Sequence, residues 1–130
     1  MRVARLSPIV CAFAVIFLAV PALAANVTGT WSGEVKLPNG QSLPFVAHLK
    51  QSGSKVTGKL DGIPKGAPDV IVMDGRVKGD MVTFSEVRPI QGKDVKFNCT
   101  GKISGDTIDF KIARADGQGA PLETLTKRLQ

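Results

Sequence analysis

The chain has 130 residues, 43% of them hydrophobic, with 17 Lys and Arg against 11 Asp and Glu, one His and a formal net charge of +6. That length holds one small domain, and its cations are scattered at alternate positions, which argues against a nucleic-acid-binding stripe. Of the two cysteines, one lies in the N-terminal apolar segment, so an internal disulfide scaffold is excluded.

The N-terminal segment reads as an export signal. Arg2 and Arg5 precede an apolar run from Ile9 to Val20, Pro21 breaks it, and Ala22-Leu23-Ala24 supplies the small residues of a cleavage site. Residues 1–24 are therefore expected to form a signal-peptide helix that is removed, and residues 25–130 a single domain that is secreted or periplasmic. The apolar run is shorter than the roughly 20 residues of a membrane span, so no stable membrane anchor is expected after cleavage. Cys11 lies at the start of that run, whereas a lipidated cysteine would follow it. With Arg2 and Arg5 gone, two of the six net positive charges leave, and the remaining four suit a solvated surface that anionic envelope surfaces attract weakly.

Beyond the signal the dominant period is two. Val27, Gly29, Trp31, Gly33, Val35 and Leu37 share one face of a first strand, and Pro38-Asn39-Gly40 marks a turn. Leu43, Phe45, Ala47 and Leu49 form the apolar face of a second strand, and Val56, Gly58 and Leu60 that of a third. Gly62 to Asp69, with two prolines and two glycines, is a loop. Val70 to Val77 reads as an interrupted fourth strand with a bulge or bend at Asp74-Gly75. Val82, Phe84 and Glu86 face one way on the fifth strand, and Pro89 to Lys93 reads as a further loop. The sixth strand aligns Val95, Phe97, Cys99, Gly101 and Ile103; the seventh aligns Ile108, Phe110 and Ile112. After a Gly-rich loop from Ala115 to Pro121, an eighth runs from about Leu122 to Leu129. No helix is expected after the signal.

Eight short strands joined in sequence order favour an all-β fold: an eight-stranded antiparallel up-and-down β-barrel that closes to remove its edges, with a two-layer β-sandwich as the alternative. Alternating strand direction puts the tight turns at Ser52–Ser54, Lys78–Asp80 and Ser104–Asp106 at the end that holds both termini. The longer connections gather at the other end as a mouth, where binding sites are expected.

"TGTW", at Thr28 to Trp31 on the first strand, resembles the Gly-x-Trp opening of the calycin superfamily, the lipocalins and avidins. That resemblance implies that Trp31 plugs the barrel's base, with a basic residue of the last strand packed across it, Arg128 or its neighbour Lys127. The physics points the same way: both lie at the termini end, a guanidinium over an indole is favourable by roughly 0.5–2 kcal/mol, and Gly29 and Gly33 leave room beside a large ring. The chain is also similar to a small secreted bacterial domain family carrying "TGxWxG", "DGxVxGD" and "GKxSGD", seen here at Thr28, Asp74 and Gly101; this resemblance implies no particular activity. Unlike the avidins, the chain has no Tyr and a single Trp, so the aromatic box around biotin cannot be built.

Candidate chemistry is sparse. His48, the lone histidine, lies on the outward register with no local carboxylate or hydroxyl partner implied, which argues against a catalytic triad. No metal-ligand spacing is present, so neither a metal nor a cofactor is expected. Cys99 alternates with core residues and reads as a small buried hydrophobe. The sequons at Asn26 and Asn98 carry no weight in a bacterial export product. Glu86, Arg88 and Arg114 are the distinctive candidates, because all three fall on the inward register near the mouth. A charge pointing into a barrel needs a partner, water or a ligand. They read either as an ion pair capping the core or as a clamp in which Arg88 and Arg114 take an anionic or carboxylate ligand beside Glu86. The phenylalanines and Trp31 all point inward, which leaves no exposed platform for sugars. The expected function is non-enzymatic binding of a small anionic or apolar ligand, or of an envelope protein, at the mouth. The alternative is an interaction or inhibitor module whose interior is filled, since an eight-stranded barrel holds either side chains or one small ligand.

Overall fold

The computed structural model describes residues 26–63 and 66–129. The proposed signal segment, residues 1–24, lies outside the described residues. Nine β-strands follow in chain order: β1 (Gly29–Lys36), β2 (Ser42–Ser52), β3 (Lys55–Leu60), β4 (Val70–Ile71), β5 (Met73–Lys78), β6 (Met81–Ile90), β7 (Lys93–Ser104), β8 (Thr107–Arg114) and β9 (Leu122–Arg128). Every pairing is antiparallel and joins sequence neighbours, except that β3 pairs with β5 as well as β4 and that β9 returns to β1 through Trp31 opposite Arg128 and Ser32 opposite Lys127. With β2 also paired to β3, the sheet closes, and the sandwich alternative is excluded.

β4 and β5 are one strand interrupted, which brings the count to eight. The bulge lies where Asp74-Gly75 marked it: the register shifts between Met73 and Arg76, and Asp74 takes φ 53°. The extra residue reverses the inward parity, so Val70 and Val72 are buried before it and Gly75 and Val77 after it.

At the termini end the hairpins pair Ser52 with Lys55, Lys78 with Met81 and Ser104 with Thr107, leaving two-residue loops. Each begins with a glycine near φ +60°, the first-position glycine of a type II′ turn that matches strand twist. At the opposite end one expectation is corrected. Pro89 to Lys93 is not an irregular loop, because β6 continues to Ile90, which pairs with Lys93 across a tight Gln91-Gly92 turn. Both turn residues have positive φ, as a type I′ hairpin requires.

The inward register forms the core. Trp31, Phe110, Leu60, Ile108, Val56 and Val82 are fully buried, and Phe110 packs on Phe45 and Phe84 at centroid separations of 5.4 and 5.7 Å. The outward register carries Thr, Lys and Asp along β3, β7 and β8, the reverse of a lipid-facing barrel.

Trp31 lies wholly inside the termini end, its Nε1 donating to the Val27 carbonyl at 2.9 Å. The Arg128 guanidinium sits 4.3 Å from the indole centroid. It also donates to the carbonyls of Thr28 and Asn26 and to the Asp106 carboxylate, tying the N-terminal segment to the β7–β8 turn. The glycines around Trp31 make room for neighbours other than the ring. A Cβ on Gly29 would lie 3.2 Å from an Arg128 nitrogen, and one on Gly33 would lie 2.5 Å from the Leu125 carbonyl where β9 crosses β1.

Candidate functional site

The upper half of the barrel is open. A cavity of about 610 Å³ lies above the phenylalanine layer. Phe45, Phe97 and Ile112 form its floor, Val35, Leu43 and Leu122 its walls, and Gly62–Ile63 and Ala67–Asp69 of the β3–β4 connection its rim. The lower half holds Trp31, Phe84 and Phe110, whereas the smaller aliphatic residues Val35, Leu43 and Leu122 line the cavity. The volume falls within the roughly 300–1,000 Å³ of small-molecule pockets.

Glu86 and Arg88 stand in this apolar wall on β6. Glu86 is 2% exposed, and Arg88 Nε donates to its Oε1 at 2.7 Å, with Nη2 3.5 Å from Oε2. Because i and i+2 on a strand share a face, β6 itself sets this geometry. Both charges line the cavity. A buried pair in this setting carries a large desolvation cost, and its guanidinium keeps donor capacity that Glu86 does not use. Beneath the pair, burial and the nearby Glu86 charge push the Cys99 thiol up, so it stays protonated and inert.

Arg114 is not brought together with them. It stands opposite Phe97, but its Nη2 and Nε bind Asp116 at 3.1 and 3.3 Å in the β8–β9 connection, and it does not line the cavity. That bond holds the Asp116 carboxyl below its usual range, helped by the Gln118 backbone N–H. The forked Arg88–Arg114 clamp is thus not formed: Asp116, two residues along the chain, captures the second arm.

One cluster was not visible in the sequence. On the outer wall, Thr30 Oγ1 lies 3.2 Å from His48 Nδ1, and His48 Nε2 lies 2.8 Å from Asp61 Oδ1. His48 therefore has both the hydroxyl and the carboxylate neighbour that local sequence did not imply. Thr30 faces His48 across the β1–β2 ladder, and Asp61 arrives as the chain leaves β3, where its N–H donates to the Val46 carbonyl. Cross-strand register was the signal, and it needed the pairing to be known. The array ties three adjacent strands on a half-exposed face, outside the cavity. Among the described residues, no three His, Cys, Asp or Glu side chains converge as metal ligands.

No protein-family model and no curated protein matches the chain. Among solved structures it is similar to a redesigned β-barrel, with 17% identity over 85% of this chain and all of that one, at a TM-score of 0.65. At that identity the likeness shows the barrel fold alone.

Proposed function

We propose that this is an exported, non-enzymatic binding protein of calycin-like architecture that holds one small, largely apolar molecule in the upper barrel. The observation that carries this reading is an apolar cavity whose wall contains a buried ion pair, Glu86 with Arg88. An apolar wall supplies affinity, and a few placed polar groups supply orientation. Arg88 offers its spare N–H donors to an acceptor on the ligand, such as a carboxylate or carbonyl, while Glu86 holds the guanidinium in place. The ligand would thus enter polar end first, leaving its apolar body against Leu43, Ile63 and Leu122 near the rim.

The experiment separates function from packing. Arg88→Met leaves Glu86 buried without its cation and is expected to cost about 3–5 kcal/mol in a chemical-denaturation series. The double variant Glu86→Leu/Arg88→Met removes both charges and is expected to match or exceed wild-type stability. If the pair serves a ligand, the double variant loses at least tenfold in affinity for an anionic apolar dye such as anilinonaphthalene sulfonate. A double variant that folds stably and binds the dye like wild type would reduce the pair to a structural cap. A wild type that binds no apolar probe would favour the interaction-module alternative.

A further inference from the structure

On one side the cavity wall is held by side-by-side strands without a ladder. The β5–β6 ladder ends at Met73 opposite Ser85; β4 pairs with β3 through Lys59 opposite Ile71 and Leu60 opposite Val70 and lies beside β6 without a ladder to it. Among the described residues no ladder joins β4 to β6, so β6 beyond Ser85 has a partner only on its β7 side. Ile90 and Lys93 flank a two-residue hairpin loop and form a hydrogen-bonded pair, so alternation turns the backbone groups of Val87 and Pro89 toward the β4 side. Pro89 has no N–H to leave unsatisfied there, a protected edge of the kind in which strand prolines are tolerated.

The residues framing this seam are apolar and exposed. Ile71 is 65%, Ile90 40% and Val87 36% exposed, and continuing the Met73–Ser85 register sets Ile71 opposite Val87. Although Ile71 and Val87 lie on the outer face of the wall, they line the same cavity as Phe45 and Phe97, so the cavity's lining reaches from the barrel's interior to its outer face. Each of the three has a lysine as its cross-strand neighbour: Lys59 beside Ile71, Lys96 beside Val87 and Lys93 beside Ile90. Asp69 neutralises Lys59 at 3.1 Å and Asp94 stands opposite Pro89, which leaves a net positive border.

We propose that the β4–β6 seam docks on an anionic lipid surface, and that the apolar ligand passes between bilayer and cavity through it. An apolar strip with a basic border suits the interface between acyl chains and anionic headgroups. A ligand that leaves through a seam pressed on lipid avoids crossing water. The docking step stands on the seam alone, whereas the exchange step rests on the cavity reading above.

Flotation with vesicles of phosphatidylcholine, with and without phosphatidylglycerol, tests the docking. Low-salt association with the anionic vesicles is expected to fall at least tenfold in Ile71→Asp/Val87→Asp. It is expected to fall roughly fivefold for each of Lys93→Gln and Lys96→Gln, and to weaken with added salt. Should the aspartate pair fail to fold, Ile90→Asp and the glutamine variants give the same reading. Failure of wild type to bind anionic vesicles, or binding indifferent to these variants, overturns the proposal. So does a dimer that Ile71→Asp/Val87→Asp dissolves without any vesicle binding, which would hand the face to a second copy. The rate at which an anthroyloxy-labelled fatty acid leaves vesicles for the protein is expected to rise with vesicle concentration; a rate independent of it removes the exchange step. Dye titration in vesicle-free solution reads the cavity separately, so docking without dye binding would fail the earlier reading and the exchange step and leave the docking standing.

Discussion

Arg128 performs several tasks with one side chain, which is why the last strand's end matters more than its exposed position suggests. It stacks on Trp31 and satisfies carbonyls of Thr28 and Asn26 at the termini end, where β9 meets β1. Arg128→Met keeps the aliphatic stem but loses the cation and these bonds, and it is expected to cost about 1–3 kcal/mol by urea denaturation followed through the single tryptophan. Two threonines of β9 make an opposed pair. Thr126 Oγ1 donates to the Ile108 carbonyl at 2.9 Å, whereas Thr124 Oγ1 is buried with no partner among the described residues. Valine fits either site by shape. Thr124→Val is expected to stabilise by about 1 kcal/mol and Thr126→Val to destabilise by about 1 kcal/mol, and thermal melts of the two variants read the difference in sign.

At the scale of the strand, legibility followed how local the determinants were. Alternation placed the Trp31, Phe45, Phe84 and Phe110 faces, and Asp74-Gly75 announced the bulge, because both depend on residues adjacent in sequence. Pro89 misled for a physical reason: proline forbids a ladder bond only on its N–H side, and here that side faces an unpaired seam. The Glu86–Arg88 pair was readable from its i, i+2 spacing. Capture of Arg114 by Asp116 was not, since it depends on how the β8–β9 connection folds back. The Thr30–His48–Asp61 array was equally hidden, as it needed the register of three strands. Three exposed carboxylates tie connections and strand ends. Lysine or arginine hydrogen bonds lower the pKa of Asp69 through Lys59, of Asp80 through Lys102 and of Asp116 through Arg114. A carboxyl depressed in the folded state binds its proton more weakly there than in the unfolded chain. The stabilisation is therefore complete above about pH 4 and is lost as pH falls through the folded values. Because these groups are solvent-screened, the loss is expected to be small, and denaturation curves at pH 5 and pH 3 should converge as salt is added.

The whole molecule divides its interior between two tasks. Its lower half is packed around Trp31 and the phenylalanines, where the sheet closes and its turns are tight. Its upper half gives up that packing. An apolar space of about 610 Å³ forfeits the contacts that larger side chains would make, and a buried ion pair adds desolvation cost. Both losses fall in one place, beside the stretch where β4 and β6 lie side by side without a ladder, and occupancy of that space is what the proposed function assigns to it. Composition, charge and strand count carried the reading as far as the barrel and its mouth. Whether the interior was filled depended on side-chain volumes at the rim, which alternation does not measure. The decisive measurement is an amide chemical-shift titration of the isotopically labelled protein with an anionic apolar probe. Saturable shifts grouped at Val35, Leu43, Phe45, Glu86, Phe97 and Ile112, with Trp31 and Val56 unmoved, are the predicted result; no shifts, or shifts confined to the outer wall around His48, would contradict it.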